Sequence, residues 1–123
     1  MKIPTKMKCV QIESFGGPEV LKPTVKDTPL INSNEVLVKV KAAGVNRPDI
    51  MQRKGEYPPP PGASDLPGLE ISGKIVQVGT KVKHFNVGDS VCALTNGGGY
   101  AEYCKVNSLH TLNIPKGLSY VEA

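Results

Sequence analysis

The sequence predicts a mainly β fold, a small and partly open antiparallel barrel with one or two short helices, on three observations. Apolar runs are short and recur at regular spacing along the chain. Glycine and proline, 13 and 11 of 123 residues, punctuate those runs and exclude the long helices of a bundle or coiled coil. A chain of this size buries enough apolar surface for one domain, but it cannot also hold a dinucleotide-binding domain.

The elements are justified in chain order. Residues 1–6 are set apart as a flexible extension, and residues 7–123 as the domain. Lys2, Lys6 and Lys8 account for three of the four net positive charges, so the basic balance describes an N-terminal arm rather than a nucleic-acid face. Met7 to Ile12 reads as a strand, turned by Phe15-Gly16-Gly17-Pro18. Val20 to Val25 reads as an edge strand, because Pro23 cannot donate a ladder hydrogen bond. After the turn Asn32-Ser33-Asn34 comes the clearest strand, Val36 to Ala42, with Val38, Val40 and Ala42 on one face and Lys39 and Lys41 on the other.

Asn46 then caps a short helix with Pro48 and Asp49 in its first turn and Gly55 past its end. Tyr57 to Gly62, rich in proline, forms a stiff loop that holds an exposed tyrosine close to that end. Gly68 to Val78 resumes the strands, with Gly73 permitting a bulge that helps a sheet close. Ser90 to Leu94, Tyr100 to Val106 and Thr111 to Ile114 complete them, the first two separated by the turn Asn96 to Gly99. Ser119 to Glu122 has the Ser-x-x-Glu spacing of a capping box, a helix start with no helix body after it. The expectation is that the chain is a piece of a longer protein.

Composition excludes several classes. No run approaches the roughly 20 apolar residues of a membrane span, and the N-terminus has no signal-peptide core, so a cytoplasmic protein without membrane association is expected. Cys9, Cys92 and Cys104 are read as free, buried thiols in a reducing compartment. The cysteines and His84 and His110 are too isolated in sequence to bind zinc, and both histidines read as surface residues. Gly97 to Gly99 reads as a turn and not a phosphate loop, since no Lys-Ser/Thr follows it. The stretch from Asn46 to Glu70 remains. A tyrosine there can donate to a substrate carbonyl and an asparagine amide can hold a ribose or nicotinamide. Packing of Tyr57 on its prolines accounts for the same spacing equally well.

At this stretch the sequence resembles the N-terminal catalytic domain of the medium-chain dehydrogenase/reductase superfamily, in its zinc-free quinone oxidoreductase branch. The likeness is carried by Ala43-Gly44-Val45-Asn46-Arg47-Pro48-Asp49, by Gln52-Arg53-Lys54-Gly55-Glu56-Tyr57-Pro58 through Ser64, and by Pro67-Gly68-Leu69-Glu70-Ile71-Ser72-Gly73. Val87-Gly88-Asp89, Gly97-Gly98-Gly99-Tyr100-Ala101-Glu102-Tyr103 and Ile114-Pro115 continue it. The resemblance implies a GroES-like barrel joined to a Rossmann domain, with NADPH and substrate in the cleft between them. It implies hydride transfer to a quinone or another activated carbonyl compound, and a homodimer as the full-length protein. Asn46 stands where the zinc-dependent branch has a cysteine ligand, and Leu69 where it has a histidine. By the same resemblance Asn46 and Tyr57 line the cofactor and substrate site and are the catalytic candidates, while Asp49, Arg53 and Glu70 cap the helix and support the site. No Gly-x-Gly-x-x-Gly fingerprint occurs, so these residues alone are expected to fold without turning over. Two other functions stay open: an enoyl-thioester reductase of the same superfamily, and a non-enzymatic GroES-like binding module.

Overall fold

The computed structural model describes residues 2–123. Among the described residues seven strands form two antiparallel sheets. β1 (Lys6–Ile12) and β2 (Leu21–Asp27) make a hairpin of their own. β3 (Glu35–Ala43), β4 (Glu70–Val78), β5 (Ser90–Leu94), β6 (Tyr103–Asn107) and β7 (Thr111–Asn113) make a five-stranded sheet in the order β6-β3-β4-β5-β7. One α-helix, α1 (Arg47–Arg53), fills the connection after β3. This curled, partly open sheet is the mainly β, GroES-like architecture the sequence predicts.

Sheet curvature traces to β4. Its pairing with β3 shifts register between Leu37 and Val38 and again between Val40 and Ala42, with Gly73 opposite Val40. A Cβ built on Gly73 would lie 2.1 Å from the Lys39 carbonyl oxygen, so only glycine lets the two backbones approach this closely. The hairpin joins the sheet through the segment before β6. Val10 N–H donates to the Tyr100 carbonyl at 2.9 Å, Glu102 N–H to the Lys8 carbonyl at 3.0 Å, and Val40 N–H to the Glu102 carbonyl at 2.8 Å.

The core has two parts. Val36, Val38, Ile71, Ile75, Val91, Ala93, Cys104 and Val106 pack inside the curled sheet. Met7, Cys9, Leu37, Leu66 and Tyr103 form a second cluster between the sheet and the hairpin. The sequence reads β3 as apolar on one face only. In the structure Val36, Leu37 and Val38 are all buried, because the hairpin covers the face that Leu37 presents. Lys41, nearer the end of the strand, is exposed as expected.

Other boundaries differ for local reasons. Val20 closes a 3₁₀ turn, Pro18–Val20, and the strand starts at Leu21. Pro23 pairs only with Val10 in the two-stranded hairpin, consistent with its expected edge position. Glu70, not Gly68, opens β4, since Gly68 turns with φ +105°. Tyr103, not Tyr100, opens β6, because residues 100–102 are bonded to β1. β1 starts at Lys6, Ile3 packs against the second cluster, and the Thr5 carbonyl accepts from Thr28 N–H at 2.9 Å. The capping box at Ser119 forms: Ser119 N–H donates to Glu122 Oε1 at 2.9 Å and Glu122 N–H to Ser119 Oγ at 3.1 Å.

Candidate functional site

The site is organised by α1. Asn46 sits at its N-cap with extended backbone (φ −127°, ψ 159°), Pro48 follows in the first turn, and Arg53 ends it. Seven residues are too few for a helix to persist alone, so its contacts must hold it. Gln52 is buried and its Nε2 donates to the Asp65 carbonyl at 3.1 Å. Arg53 Nε donates to the Gly16 carbonyl at 3.1 Å, and Gly16 N–H returns a bond to the Arg53 carbonyl. Asp49, 5% exposed, is the most connected residue of the helix. Its Oδ2 accepts from Asn46 N–H at 3.0 Å and from the Tyr100 hydroxyl at 2.7 Å, and its Oδ1 from Gly68 N–H at 3.3 Å. Burial, then the hydrogen bond to Asp49 and its negative charge, raise the Tyr100 phenol well above its ordinary value. Tyr100 therefore stays protonated and its proton is committed to Asp49.

The glycine run positions Tyr100. Gly97 and Gly98 adopt φ +136° and +88°, which accords with the expected turn. The run also packs on the segment before β4: Gly98 N–H donates to the Leu66 carbonyl, Gly99 N–H to Gly68 and Tyr100 N–H to Pro67, at 2.9 to 3.1 Å. A Cβ on Gly68 would stand 2.6 Å from Tyr100 N, so this seam closes only with glycine there.

Of the catalytic candidates, Asn46 is half-buried at the start of α1, and Tyr57, 39% exposed, lies in the loop beyond its end. They sit at opposite ends of the helix, whose length is roughly 10 Å. Leu69 is half-buried, and its carbonyl accepts from Thr95 N–H at 2.8 Å. Glu70 lays its side chain over Gly44, where a Cβ would have to displace it, and its carbonyl accepts from Gly44 N–H. Asp49 and Arg53 make the capping and support contacts described above. Tyr100 lies in the stretch that carries the sequence likeness but has no local signal of a role, and its partner Asp49 is too distant in sequence for spacing to suggest one.

Other groups are placed less centrally. His84 and His110 are exposed. Among the described residues no three His, Cys, Asp or Glu side chains come together as a metal site. All three cysteines are free; Cys9 and Cys104 are buried as expected, but Cys92 is only half-buried. Burial pushes the Cys104 thiol up to about 11 and raises Cys9 as well. A groove of about 560 Å³ runs past Gly44, Glu70, Cys92, Leu112 and Val121, and another of about 450 Å³ past Lys26, Asp65 and Gly97. Asn46 and Tyr57 line neither groove. No helix among the described residues is long and apolar enough to cross a membrane.

Known proteins resemble this chain in sequence and fold. Residues 32–116 match the alcohol dehydrogenase GroES-like domain. The chain is 38% identical over 116 residues to the quinone oxidoreductase of Lama guanicoe, an alignment covering 93% of this chain and 35% of that protein. It is 38% identical over 117 residues to the synaptic vesicle membrane protein VAT-1 homolog of Danio rerio, covering 94% of this chain and 24% of the other. Among solved structures it resembles the quinone oxidoreductase from Coxiella burnetii with a TM-score of 0.87 at 29% identity, over 96% of this chain and 40% of that one. The chain thus spans well under half the length of these relatives. With a family match over most of the sequence and the same half-barrel in the solved relative, the chain belongs to the alcohol dehydrogenase GroES-like domain family, within the medium-chain dehydrogenase/reductase superfamily.

Proposed function

We propose that this chain is the barrel domain of a zinc-independent, NADPH-dependent oxidoreductase that reduces a quinone or another activated carbonyl compound. The observation that carries the reading is the 38% identity to a quinone oxidoreductase across nearly the whole chain. The asparagine and leucine at positions 46 and 69, where the zinc-dependent branch has its ligands, support metal-free chemistry. A mycobacterial relative, 29% identical with a TM-score of 0.80, is solved in complex with NADPH, which supports that cofactor.

In this reading the residues present serve one end of the cofactor. NADPH supplies a hydride when bound. Every strand pairing in the two sheets is antiparallel and α1 has seven residues, so among the described residues no strand-turn-helix unit offers its amides to a pyrophosphate. Asn46 offers an amide that can both donate to and accept from a carboxamide or a ribose hydroxyl. Tyr57 offers a phenol to the oxygen of the substrate. In this reading the remaining cofactor surface belongs to a Rossmann domain outside these residues, contributed by the same polypeptide, and the complete enzyme is a cytoplasmic homodimer.

A substrate panel on the two-domain protein tests the reading, with loss of NADPH absorbance followed in the presence of quinones and of enoyl-CoA esters. Quinones are expected to turn over faster. Reduction of the enoyl ester alone would assign the chain to an enoyl-thioester reductase, and binding to a chaperonin ring without any turnover would favour a binding module.

A further inference from the structure

We infer that Asp49 and Tyr100 form a positioning pair that fixes the Asn46 backbone against the glycine seam, so that the placement of the side-chain amide proposed to face the cofactor depends on a hydroxyl more than fifty residues away in sequence. The inference rests on the reading of Asn46 given above. Asp49 is almost fully buried, and the donors that reach its carboxylate come from three separate segments: the start of α1, the Gly68 turn before β4, and the end of the glycine run. None of them is charged, and Asp49 is in neither of the ion pairs found among the described residues. A buried carboxylate held only by neutral donors depends on each of them, because losing one leaves an acceptor without water or partner.

The shared oxygen is what couples the segments. Oδ2 takes both the Asn46 backbone N–H and the Tyr100 hydroxyl, so moving one donor moves the acceptor of the other. Tyr100 is fixed in turn by its N–H, which donates to the Pro67 carbonyl, and by its carbonyl, which accepts from Val10 N–H, so its main chain is tied to β1 and to the segment before β4. The main-chain bond from Asn46 stays within its own turn, its carbonyl accepting from Asp49 N–H, and the contacts that hold α1 to the rest of the fold lie at its far end, at Gln52 and Arg53. The rigid partner is therefore Tyr100, and the positioned one is Asn46.

Two measurements test the pair. In this chain, Tyr100→Phe removes only the hydroxyl, and amide exchange at Asn46 is expected to speed up about tenfold, with Gly68 following and Ile75 unchanged. Tyr120→Phe, which cuts the bond of another tyrosine to Ser90, serves as the control and should leave Asn46 alone. An Asn46 amide that keeps its protection in Tyr100→Phe overturns the inference whatever the kinetics do. In the two-domain enzyme, Tyr100→Phe is expected to lower kcat/KM about tenfold, and to cost almost nothing further once Asn46→Ala is present. Full additivity of the two would overturn the positioning role, because a purely structural loss would multiply. If Asn46→Ala alone leaves kcat/KM unchanged, the reading of Asn46 as a cofactor contact fails, and the exchange result in this chain still decides the pair.

Discussion

At the scale of single residues, the two tyrosines near α1 have opposite assignments. Tyr100 spends its hydroxyl on Asp49 and is held protonated, whereas Tyr57 stands 39% exposed beyond the helix. Of these two, Tyr57 is the one proposed to donate to substrate. Tyr57→Phe in the two-domain enzyme is therefore expected to lower kcat/KM by roughly 10- to 1000-fold with little change in melting temperature. An unchanged rate would leave Tyr57 as a wall of the cleft. Cys104 gives a second residue-scale expectation. Its thiol titrates near 11 in the fold against an ordinary 9, so the native state holds a proton that the unfolded chain releases first. Stability is then intact below about pH 9 and falls as pH rises towards about 11, by at most about 2 to 3 kcal/mol. Urea unfolding at both ends of that window should show this loss in the wild type, and a smaller one in Cys104→Ala.

At the scale of elements, the legible parts are those whose causes are local. β5 has the bounds its alternation and flanking turn residues indicate, α1 starts where Asn46 and Pro48 place it, and the Ser119 capping box forms both of its bonds. The parts that escape are those set by distant chain. Leu37 lies between two buried valines on the opposite face of β3, and only the β1-β2 hairpin, packed there by nonlocal contacts, explains its 1% exposure. The later start of β6 has the same cause, since residues 100–102 bond to β1. Asn46 and Tyr57 were visible as candidates because each sits beside a local signal, a helix cap or a proline run. Tyr100 had no such signal. Leu37→Ala is accordingly expected to cost about 2 to 5 kcal/mol, as a fully buried core truncation does. A similar change at the exposed Leu112 should cost less than about 0.5 kcal/mol, and urea midpoints compare the two directly.

At the scale of the whole molecule, the antiparallel sheet limits what these residues can do by themselves. Dinucleotide sites of the Rossmann kind depend on a parallel strand feeding a helix whose first amides face the pyrophosphate. Every pairing here is antiparallel, and the helix after β3 is occupied at its start by Asp49, which takes the Asn46 amide and presents a carboxylate where a phosphate would need donors. In the proposed reading the barrel meets only the nicotinamide end of NADPH, and the antiparallel sheet offers little with which to hold the rest. Purified alone, the chain is expected to fold and to oxidise NADPH with quinone no faster than a blank without protein. Joined to a Rossmann domain it should gain that activity, and the gain should vanish in the Tyr57→Phe and Asn46→Ala double variant. Turnover by the isolated chain at the rate of the joined protein would mean that the barrel carries a cofactor site of its own.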